Sequence, residues 1–190
     1  MKYCSHCGSD RIRQTIPEGD NRLRYVCPDC GTIFYENPKI VAGCIAEWQG
    51  QILLCKRAID PRLGTWTLPA GFMENKETVQ EAAARETVEE ASAQIVDQKL
   101  YMIYNLPHIS QVYVMFRGQV KGGIASPGME SLETAFFDED QIPWSDLSFP
   151  IITEALQLYF ADRQRGEFLM HTGEIRRVSP ELIETKRYLP

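Results

Sequence analysis

The stretch of sequence that decides the fold is Gly71-Phe72-Met73-Glu74-Asn75-Lys76-Glu77, then seven residues, then Arg85-Glu86-Thr87-Val88-Glu89-Glu90. If residues 78–91 form a helix, a rotation of ~100° per residue puts Glu89 at about −60° and Glu90 at about +40° from Glu86. The three carboxylates then share one face in the last helical turns, where the negative end of the helix dipole disfavours acids. A bound cation would offset that cost, and oxygen ligands suit Mg²⁺ or Mn²⁺. The alternative is a solvated acidic face.

The helix that carries these acids has a clear start signal. Thr78-Val79-Gln80-Glu81 reads as a capping box, and Gly71 and Asn75 mark the loop before it. Small and apolar side chains fall on both sides of the helix, which predicts close packing on both sides. The sequence therefore predicts a helix that delivers its carboxylates to the edge of a core.

Residues 71–93 resemble the Nudix box, Gly-x5-Glu-x7-Arg-Glu-U-x-Glu-Glu-x-Gly-U with U aliphatic, and every charged position of that motif matches. The departures are Thr87 and Ala93 at the two U positions and Ser92 at the late glycine. Ser92 must end the helix without the ease of glycine at positive φ. No metal ligand is lost by these departures.

The resemblance implies the function of Nudix hydrolases, which cleave a nucleoside diphosphate linked to another moiety. It implies that Glu86, Glu89 and Glu90 bind Mg²⁺ or Mn²⁺ and that a backbone carbonyl of Ala70 or Gly71 supplies a further oxygen. Glu86 has an alternative role, in which it holds or deprotonates the attacking water. The ions would neutralise the pyrophosphate and lower the pKa of that water.

Further catalytic candidates flank this core of ligands. The resemblance implies that Arg85 orients the carboxylates and that Glu77 supports them, although a solvated first-turn acid explains Glu77 equally well. Nudix enzymes often use another glutamate from a later loop. We expect Glu130 in that role, as ligand or base, because it lies in the loop of residues 121–130. Glu133 is the alternative, or a solvent-facing strand residue.

Aromatic side chains near the box are candidates for substrate binding. Tyr101, Tyr104 and Phe72 could stack on adenine or flavin, as could Tyr113 and Trp66, although aromatic residues in strands usually belong to the core. We expect the loops and strands of residues 100–130 to set specificity, since the box contacts only the shared pyrophosphate.

A second motif lies near the N-terminus, in Cys4-x2-Cys7-Gly8 and Cys27-Pro28-x-Cys30-Gly31. Two such pairs across a polar span are what a tetrahedral zinc site with four thiolates needs, and the glycines permit tight turns. A redox pair would come singly and in a βαβ setting, and disulfides do not suit a chain without a secretory signal. We therefore expect a structural Zn²⁺ bound by Cys4, Cys7, Cys27 and Cys30, which stabilises a ribbon too small to bury a core.

The coarse pattern predicts an α/β protein. Strands are predicted at 40–48, 51–57, 65–72, 95–104, 111–120 and 131–137, with a second helix at 149–163 and a turn at Gln49-Gly50. Cys44 and Cys55 fall in apolar strands as core thiols. The pattern and the resemblance predict a zinc ribbon at 1–35 and a Nudix α/β/α sandwich with a mixed sheet at 36–165. For residues 166–190 the sequence leaves three alternatives, which are a tail, an edge strand and a dimer arm.

The ribbon preceding a Nudix domain resembles the NADH pyrophosphatase arrangement, but the motif Ser-Gln-Pro-Trp-Pro-Phe-Pro of that group is absent after the box. The segments 37–44, 68–74 and 126–131 are more similar to the ribbon-containing group that includes plant plastid FAD pyrophosphatase. The resemblance implies FAD as the first candidate substrate, then ADP-ribose, then NADH. The alternative is a catalytically weak nucleotide-sensing module whose ribbon contacts protein or RNA.

Composition excludes other classes. With 190 residues and 44% hydrophobic content, the chain can bury one full core. No apolar run approaches ~18 residues, which argues against a membrane span. The net charge is −6, and residues 1–38 carry five basic and five acidic side chains, which argues against DNA as a partner. The first cysteine pair begins at Cys4 and leaves no room for a targeting peptide, so we expect a cytoplasmic enzyme. A homodimer is left open.

Overall fold

A computed structural model describes residues 1–179 and 182–188, and residues 180, 181, 189 and 190 lie outside the described part. The chain divides into two compact units, one of residues Met1–Asn37 and one that begins at Pro38. The predicted boundary at residue 35 lies two residues from this division. None of the helices in the described ranges is long and apolar enough to cross a membrane.

The first unit is a small three-stranded antiparallel sheet. Its strands are β1 (Arg13–Thr15), β2 (Arg24–Val26) and β3 (Ile33–Phe34), in the order β1-β2-β3. Every residue of these strands is exposed or only half-buried. A unit without a buried apolar core needs another source of stability, and the buried sulfurs of Cys4 and Cys27 lie beside this sheet.

The second unit is built on a nine-stranded sheet with two helices. The elements are β4 (Lys39–Trp48), β5 (Gln51–Arg57), β6 (Trp66–Thr67), β7 (Ala70–Phe72), α1 (Val79–Ala91), β8 (Ile95–Leu106), β9 (Gln111–Val120), β10 (Ser131–Phe137), α2 (Pro150–Arg165), β11 (His171–Arg177) and β12 (Ile183–Tyr188). The strand order is β10-β5-β4-β9-β8-β11-β12, and β6 and β7 pair with β5 and β4. The pairs β4–β9 and β8–β11 are parallel and the others are antiparallel, so the sheet is mixed as predicted.

The alternation of side chains along the central strands shows how the helices cover the sheet. Ala42, Cys44 and Ala46 of β4 pack in one cluster with small residues of α1. Ile45 of the same strand packs in a second cluster with the apolar face of α2. Because alternate residues of a strand point to opposite faces, the two helices lie on opposite faces of the sheet. This confirms the α/β/α sandwich.

Two local features depart from or refine the predicted elements. The β4–β5 hairpin turns at Gln49 and Gly50, whose φ angles of 50° and 85° are those of a two-residue turn with both central residues in the left-handed region. The single strand predicted over 65–72 is wrong, because β6 and β7 are separated at Leu68-Pro69. Pro69 has no N–H for a strand ladder, and its carbonyl accepts a hydrogen bond from the Cys44 amide at 3.1 Å.

The C-terminal residues add β11 and β12 to the sheet. Two buried acids of α2 hold them in place. Glu154 accepts hydrogen bonds from Arg187 on β12 at 2.7 and 3.1 Å. Asp162, which is fully buried, lies 2.7 Å from the His171 imidazole of β11. Of the alternatives left open for 166–190, the described residues form a strand pair at the sheet edge.

Candidate active site

Helix α1 begins and ends as its sequence dictates. The Thr78 hydroxyl accepts a hydrogen bond from the Glu81 amide, and the Glu81 carboxylate accepts one from the Thr78 amide at 2.7 Å, which completes the capping box. At the other end Ser92 adopts the left-handed conformation, with φ 50° and ψ 24°, and its amide donates to the Val88 carbonyl at 2.8 Å. Serine therefore takes the conformation for which glycine is preferred.

Two of the three clustered glutamates are buried. Glu86 and Glu90 are 8% and 6% exposed, whereas the side chain of Glu89 is 55% exposed. One oxygen of Glu90, Oε2, is buried and has no hydrogen-bond partner among residues 1–179 and 182–188. Burial and, next, the neighbouring Glu86 raise the pKa of Glu90 to about 8, against a backbone hydrogen bond from Ala70 that lowers it. Burial also raises the pKa of Glu86. Both acids therefore lie where an ionised carboxylate is costly unless a cation approaches it.

Gly71 lies directly against the Glu86 carboxylate. A Cβ at position 71 would overlap all three atoms of that carboxyl group. Gly71 pairs with Ala42 in the β4–β7 ladder, so the sheet fixes the position of the Gly71 backbone beside the carboxylate. The box glycine is therefore required for the close approach of helix α1 to β7, and not for a positive φ angle.

Arg85 joins the acids of the box. Its guanidinium donates to both oxygens of Glu77, at 3.0 and 2.8 Å, and to Glu86 and Glu89 at 2.8 and 2.9 Å. It also donates to the Phe72 carbonyl at 3.1 Å. The hydrogen bonds that Arg85 donates to Glu77 lower the pKa of that carboxyl group to about 2. The geometry matches an orienting role for Arg85 and a supporting role for Glu77.

The loop after β9 closes over the C-terminal end of α1. The amides of Ser126 and Gly128 donate to the carbonyls of Ala91 and Glu90, at 2.8 and 3.0 Å, which satisfies two carbonyls at the helix end. A Cβ on Gly128 would overlap the Glu89 carbonyl. This contact fixes where the following residues lie.

The two glutamates after this loop differ in placement. Glu130 is exposed, and its charge raises the pKa of both Glu86 and Glu90, so it lies near the buried pair. Glu133 lies on β10 with its side chain 55% exposed and 3.7 Å from the Lys56 ammonium. The structure thus brings Glu130 to the acidic cluster and leaves Glu133 as a solvent-facing strand residue.

Sequence reasoning missed Arg57, at the end of β5. Its charge lowers the pKa of Glu90, and in the described ranges it forms no ion pair. Its guanidinium donates to the Pro61 carbonyl at 2.9 Å and lies 5.4 Å from the centre of the Phe149 ring. The neighbouring Ala58 amide donates to the Glu130 carbonyl at 2.8 Å. No local pattern could have found Arg57, because it belongs to no motif and lies 33 positions before Glu90 in the sequence.

The atoms of the box that could ligate a divalent ion decide whether such an ion fits there. All donors are carboxylate or carbonyl oxygens, the set that Mg²⁺ and Mn²⁺ prefer, and Oε2 of Glu90 accepts no hydrogen bond from the described residues. The acids are spread more widely than in a closed metal cage, since Arg85 bridges Glu86 and Glu89. The residues present fit a divalent cation, with Glu86, Glu89 and Glu90 as ligands. The Ala70 and Gly71 carbonyls lie on the adjacent strand.

The predicted substrate-binding aromatics separate into two groups. Phe72 is 48% exposed, lies 4.9 Å from the Lys39 ammonium and lines a cavity of about 320 Å³ beside the box. Tyr101 and Tyr104 are 1% and 0% exposed. Their hydroxyls donate to the buried acids of α2, at 3.0 and 2.8 Å, and their rings lie in the core. The prediction that these two tyrosines stack on substrate is therefore wrong, because their faces are covered by protein.

The four cysteines of the first unit form a compact cluster, which we call the four-cysteine cluster. Their sulfurs all lie within 4.8 Å of one another, with Cys4–Cys30 at 3.7 Å and Cys7–Cys27 at 3.6 Å. A tetrahedral zinc with Zn–S bonds of about 2.3 Å separates its sulfurs by about 3.8 Å. The Thr32 hydroxyl and amide lower the pKa of Cys30 to about 6, which favours the thiolate. Within 1–179 and 182–188, no other group of three metal-binding side chains is as tight.

The two cysteine pairs share one backbone pattern. The amide of Cys4 donates to Ser9 and that of Gly8 back to Cys4, at 2.7 and 2.8 Å. The amides of Cys27 and Gly31 donate the two equivalent hydrogen bonds in the second pair, and each bond is 2.9 Å long. Both glycines have positive φ, 78° and 72°. The cluster therefore consists of two equivalent turns, as the repeated Cys-x2-Cys-Gly spacing predicts.

Comparison with known families agrees with this geometry. Residues 2–36 match the family described as Nudix N-terminal, a zinc ribbon, and residues 37–179 match the NUDIX domain. The chain belongs to the Nudix family. A crystal structure of a NUDIX hydrolase from Nitrosomonas europaea superposes with a TM-score of 0.90 and 51% identity, over 93% of this chain and all of that one.

Named relatives of this Nudix protein include enzymes that act on nucleotides. An ADP-ribose pyrophosphatase of Methanocaldococcus jannaschii is 34% identical over 115 residues, which are 57% of this chain and 67% of that protein. The NAD-capped RNA hydrolase NudC of Chromobacterium violaceum is 29% identical over 167 residues, 86% of this chain. The match spans only 60% of the length of that second relative.

Proposed function

We propose that this Nudix protein hydrolyses the pyrophosphate bond of an ADP-containing dinucleotide or nucleotide sugar, with Mg²⁺ or Mn²⁺. The observation that carries the proposal is the pair of buried acids on α1. Glu86 lies against Gly71, and Glu90 has a buried oxygen without a hydrogen-bond partner in the part of the chain that the structure describes. Buried acids without a cation are costly, and a site that binds a charged substrate with metal explains why they are retained.

The chain's own residues would hold this site in one geometry. Arg85 fixes the direction of the Glu86 and Glu89 carboxylates through its hydrogen bonds. Glu77 in turn fixes Arg85 with a two-point contact. Glu130, on the exposed loop near the buried pair, would take a proton from water, and Glu86 remains the alternative base. A divalent ion held by Glu86, Glu89 and Glu90 would neutralise phosphate charge and lower the pKa of the attacking water.

Two further positions, which are not among the acids of the box, would bind the parts of substrate that flank the reacting bond. Arg57 offers a guanidinium that is not paired with a carboxylate in the described ranges, as a phosphate contact requires. Phe72 offers a half-exposed ring beside a cavity, on which a base could stack. Both lie next to residues of the box.

The relatives favour one substrate over the others. The M. jannaschii relative is named an ADP-ribose pyrophosphatase and the C. violaceum relative an NAD-capped RNA hydrolase, so an ADP moiety is common to both names. All three candidate substrates contain this moiety. We propose ADP-ribose first because it is the substrate in the name of the M. jannaschii relative, which is 34% identical, and we keep FAD and NADH as the other candidates. FAD is supported only by the resemblance of short segments of sequence.

The test is a substrate panel on purified protein. ADP-ribose, FAD and NADH are each incubated with Mg²⁺ or Mn²⁺, and AMP release is measured for the wild type, for Glu89→Gln and for Glu133→Gln as the matched control. We expect turnover that needs the metal, is lost in Glu89→Gln and is unchanged in Glu133→Gln. Tight nucleotide binding without turnover in any arm would support the sensing module instead.

A further inference from the structure

A second cavity lies away from the box, where β8 begins and β4 and β9 end. Its volume is about 490 Å³, within the range of small-molecule sites, and none of its lining residues belongs to the candidate active site. The lining includes Gln98, Lys99, Arg117 and Gly118. The proposed hydrolysis uses none of these side chains.

The cavity is shaped by a bulge in β8. The β8–β9 register shifts between Val96 and Lys99, and Asp97 has a positive φ of 55°. Gly118 lies beneath the bulge, and a Cβ at that position would come within 2.9 Å of the Val96 carbonyl. A bulge re-aims the side chains that follow it. Here those side chains are Gln98 and Lys99.

Two cations face each other across the strands at this point. Lys99 pairs directly with Arg117 in the β8–β9 ladder, so both side chains leave the same face of the sheet. Like charges in directly opposite positions are destabilising. Neither side chain forms an ion pair with any residue of 1–179 or 182–188. An anion between them would remove the repulsion.

Contacts around the cavity fix the orientation of Arg117. The Arg117 guanidinium lies 4.0 Å from the centre of the Phe168 ring, which fixes the plane of its donors. The side-chain amide oxygen of Gln98 is buried, and no described residue donates a hydrogen bond to it. Of the two acids in the lining, Glu47 already accepts a hydrogen bond from the Tyr159 hydroxyl, and Asp97 lies on the exposed bulge.

We propose that this cavity binds a compact phosphate group, as inorganic phosphate or a phosphate monoester, between Lys99 and Arg117. Lysine and arginine supply charge-assisted donors to the phosphate oxygens. This site is independent of the proposed hydrolysis at the box.

The test is an NMR titration of the full ¹⁵N-labelled chain, zinc retained, with inorganic phosphate at constant ionic strength and without added Mg²⁺ or Mn²⁺. We expect saturable shifts at the amides of Gln98, Lys99 and Gly118. Lys99→Gln and Arg117→Gln should each weaken binding about tenfold or more, since each removes a charged hydrogen bond. Lys121→Gln, an exposed cation outside the cavity, should leave binding unchanged.

Three outcomes would overturn the proposal. These are shifts that never saturate, shifts confined to residues around the box, and equal affinity in all variants. Lys99 is exposed, so Lys99→Gln retains the fold and decides the question alone if Arg117→Gln fails to fold. Separating the two forms of ligand takes one further titration, in which AMP replaces phosphate and should bind the same amides if a monoester is accepted.

Discussion

Glu90→Gln is predicted to stabilise the protein and to abolish turnover at the same time. The residue is 6% exposed and one of its oxygens has no hydrogen-bond partner within the described ranges, so the ionised form is costly in the folded chain without a divalent ion. Glutamine keeps the shape and removes the charge. The same charge is what the proposed metal site requires, so stability and activity should move in opposite directions.

The size and the sign of the change in stability follow from the raised pKa of Glu90. Folding raises it from 4.5 to about 8, so the folded protein holds this proton more tightly than the unfolded chain. The stability that the proton contributes is complete below pH 4.5 and is lost as the pH rises toward 8. At pH 7 linkage sets an upper limit of about 3 kcal/mol on that loss. Relaxation around the charge reduces it, and we expect Glu90→Gln to gain about 1–2 kcal/mol.

The assay is urea unfolding of the zinc-loaded protein between pH 5.5 and 8.5, without added Mg²⁺ or Mn²⁺. Wild-type stability should fall over this range more steeply than that of Glu90→Gln. Glu89→Gln is the matched control, because its exposed side chain loses only a surface ion pair with Arg85, worth about 1 kcal/mol or less. If Glu90→Gln is no more stable than wild type at pH 8, the ionised Glu90 does not destabilise the folded protein.

Three further predictions concern other parts of the chain. Gly71→Ala should lower kcat about 100-fold while the fold persists, since the added methyl displaces the adjacent carboxylate by about 1 Å; an unchanged kcat would contradict this contact. Purified wild type should hold about one zinc by metal analysis, and Cys4→Ser with Cys27→Ser should lose it but retain kcat within about threefold. Arg187→Ala should lower the free energy of unfolding by about 1–2 kcal/mol because it leaves a buried glutamate of α2 unpaired, whereas Arg176→Ala, which breaks an exposed pair, should cost under about 1 kcal/mol; equal losses in urea unfolding would contradict it.

Much of the fold was predictable where the signal is local. The predicted helix at 78–91 is α1 at Val79–Ala91, because the capping box and the spacing of small residues act within one helix. The β4–β5 turn at Gln49 and Gly50 is likewise set by two residues. The four-cysteine cluster follows from a spacing rule that fixes which sulfurs can converge.

What could not be predicted depends on partners far along the chain. Tyr104 looks like a strand aromatic that could face substrate, but its hydroxyl partner Glu154 lies 50 residues away on α2. The position of β11 is set by its parallel pairing with β8, which no hydrophobic periodicity in the sequence predicts. Arg57 reaches the acidic cluster only through the sheet. In each case the tertiary contact, and not the local pattern, decides the environment.

The most direct test of the central claim is ³¹P NMR of ADP-ribose hydrolysis in H₂¹⁸O with Mg²⁺ or Mn²⁺. Wild-type protein should convert the pyrophosphate signals to those of two monophosphates, with one ¹⁸O incorporated at phosphorus, whereas Glu89→Gln should not. Loss of ADP-ribose without cleavage of the pyrophosphate bond, or full activity of Glu89→Gln, would contradict the assignment of this chemistry to the acids of α1.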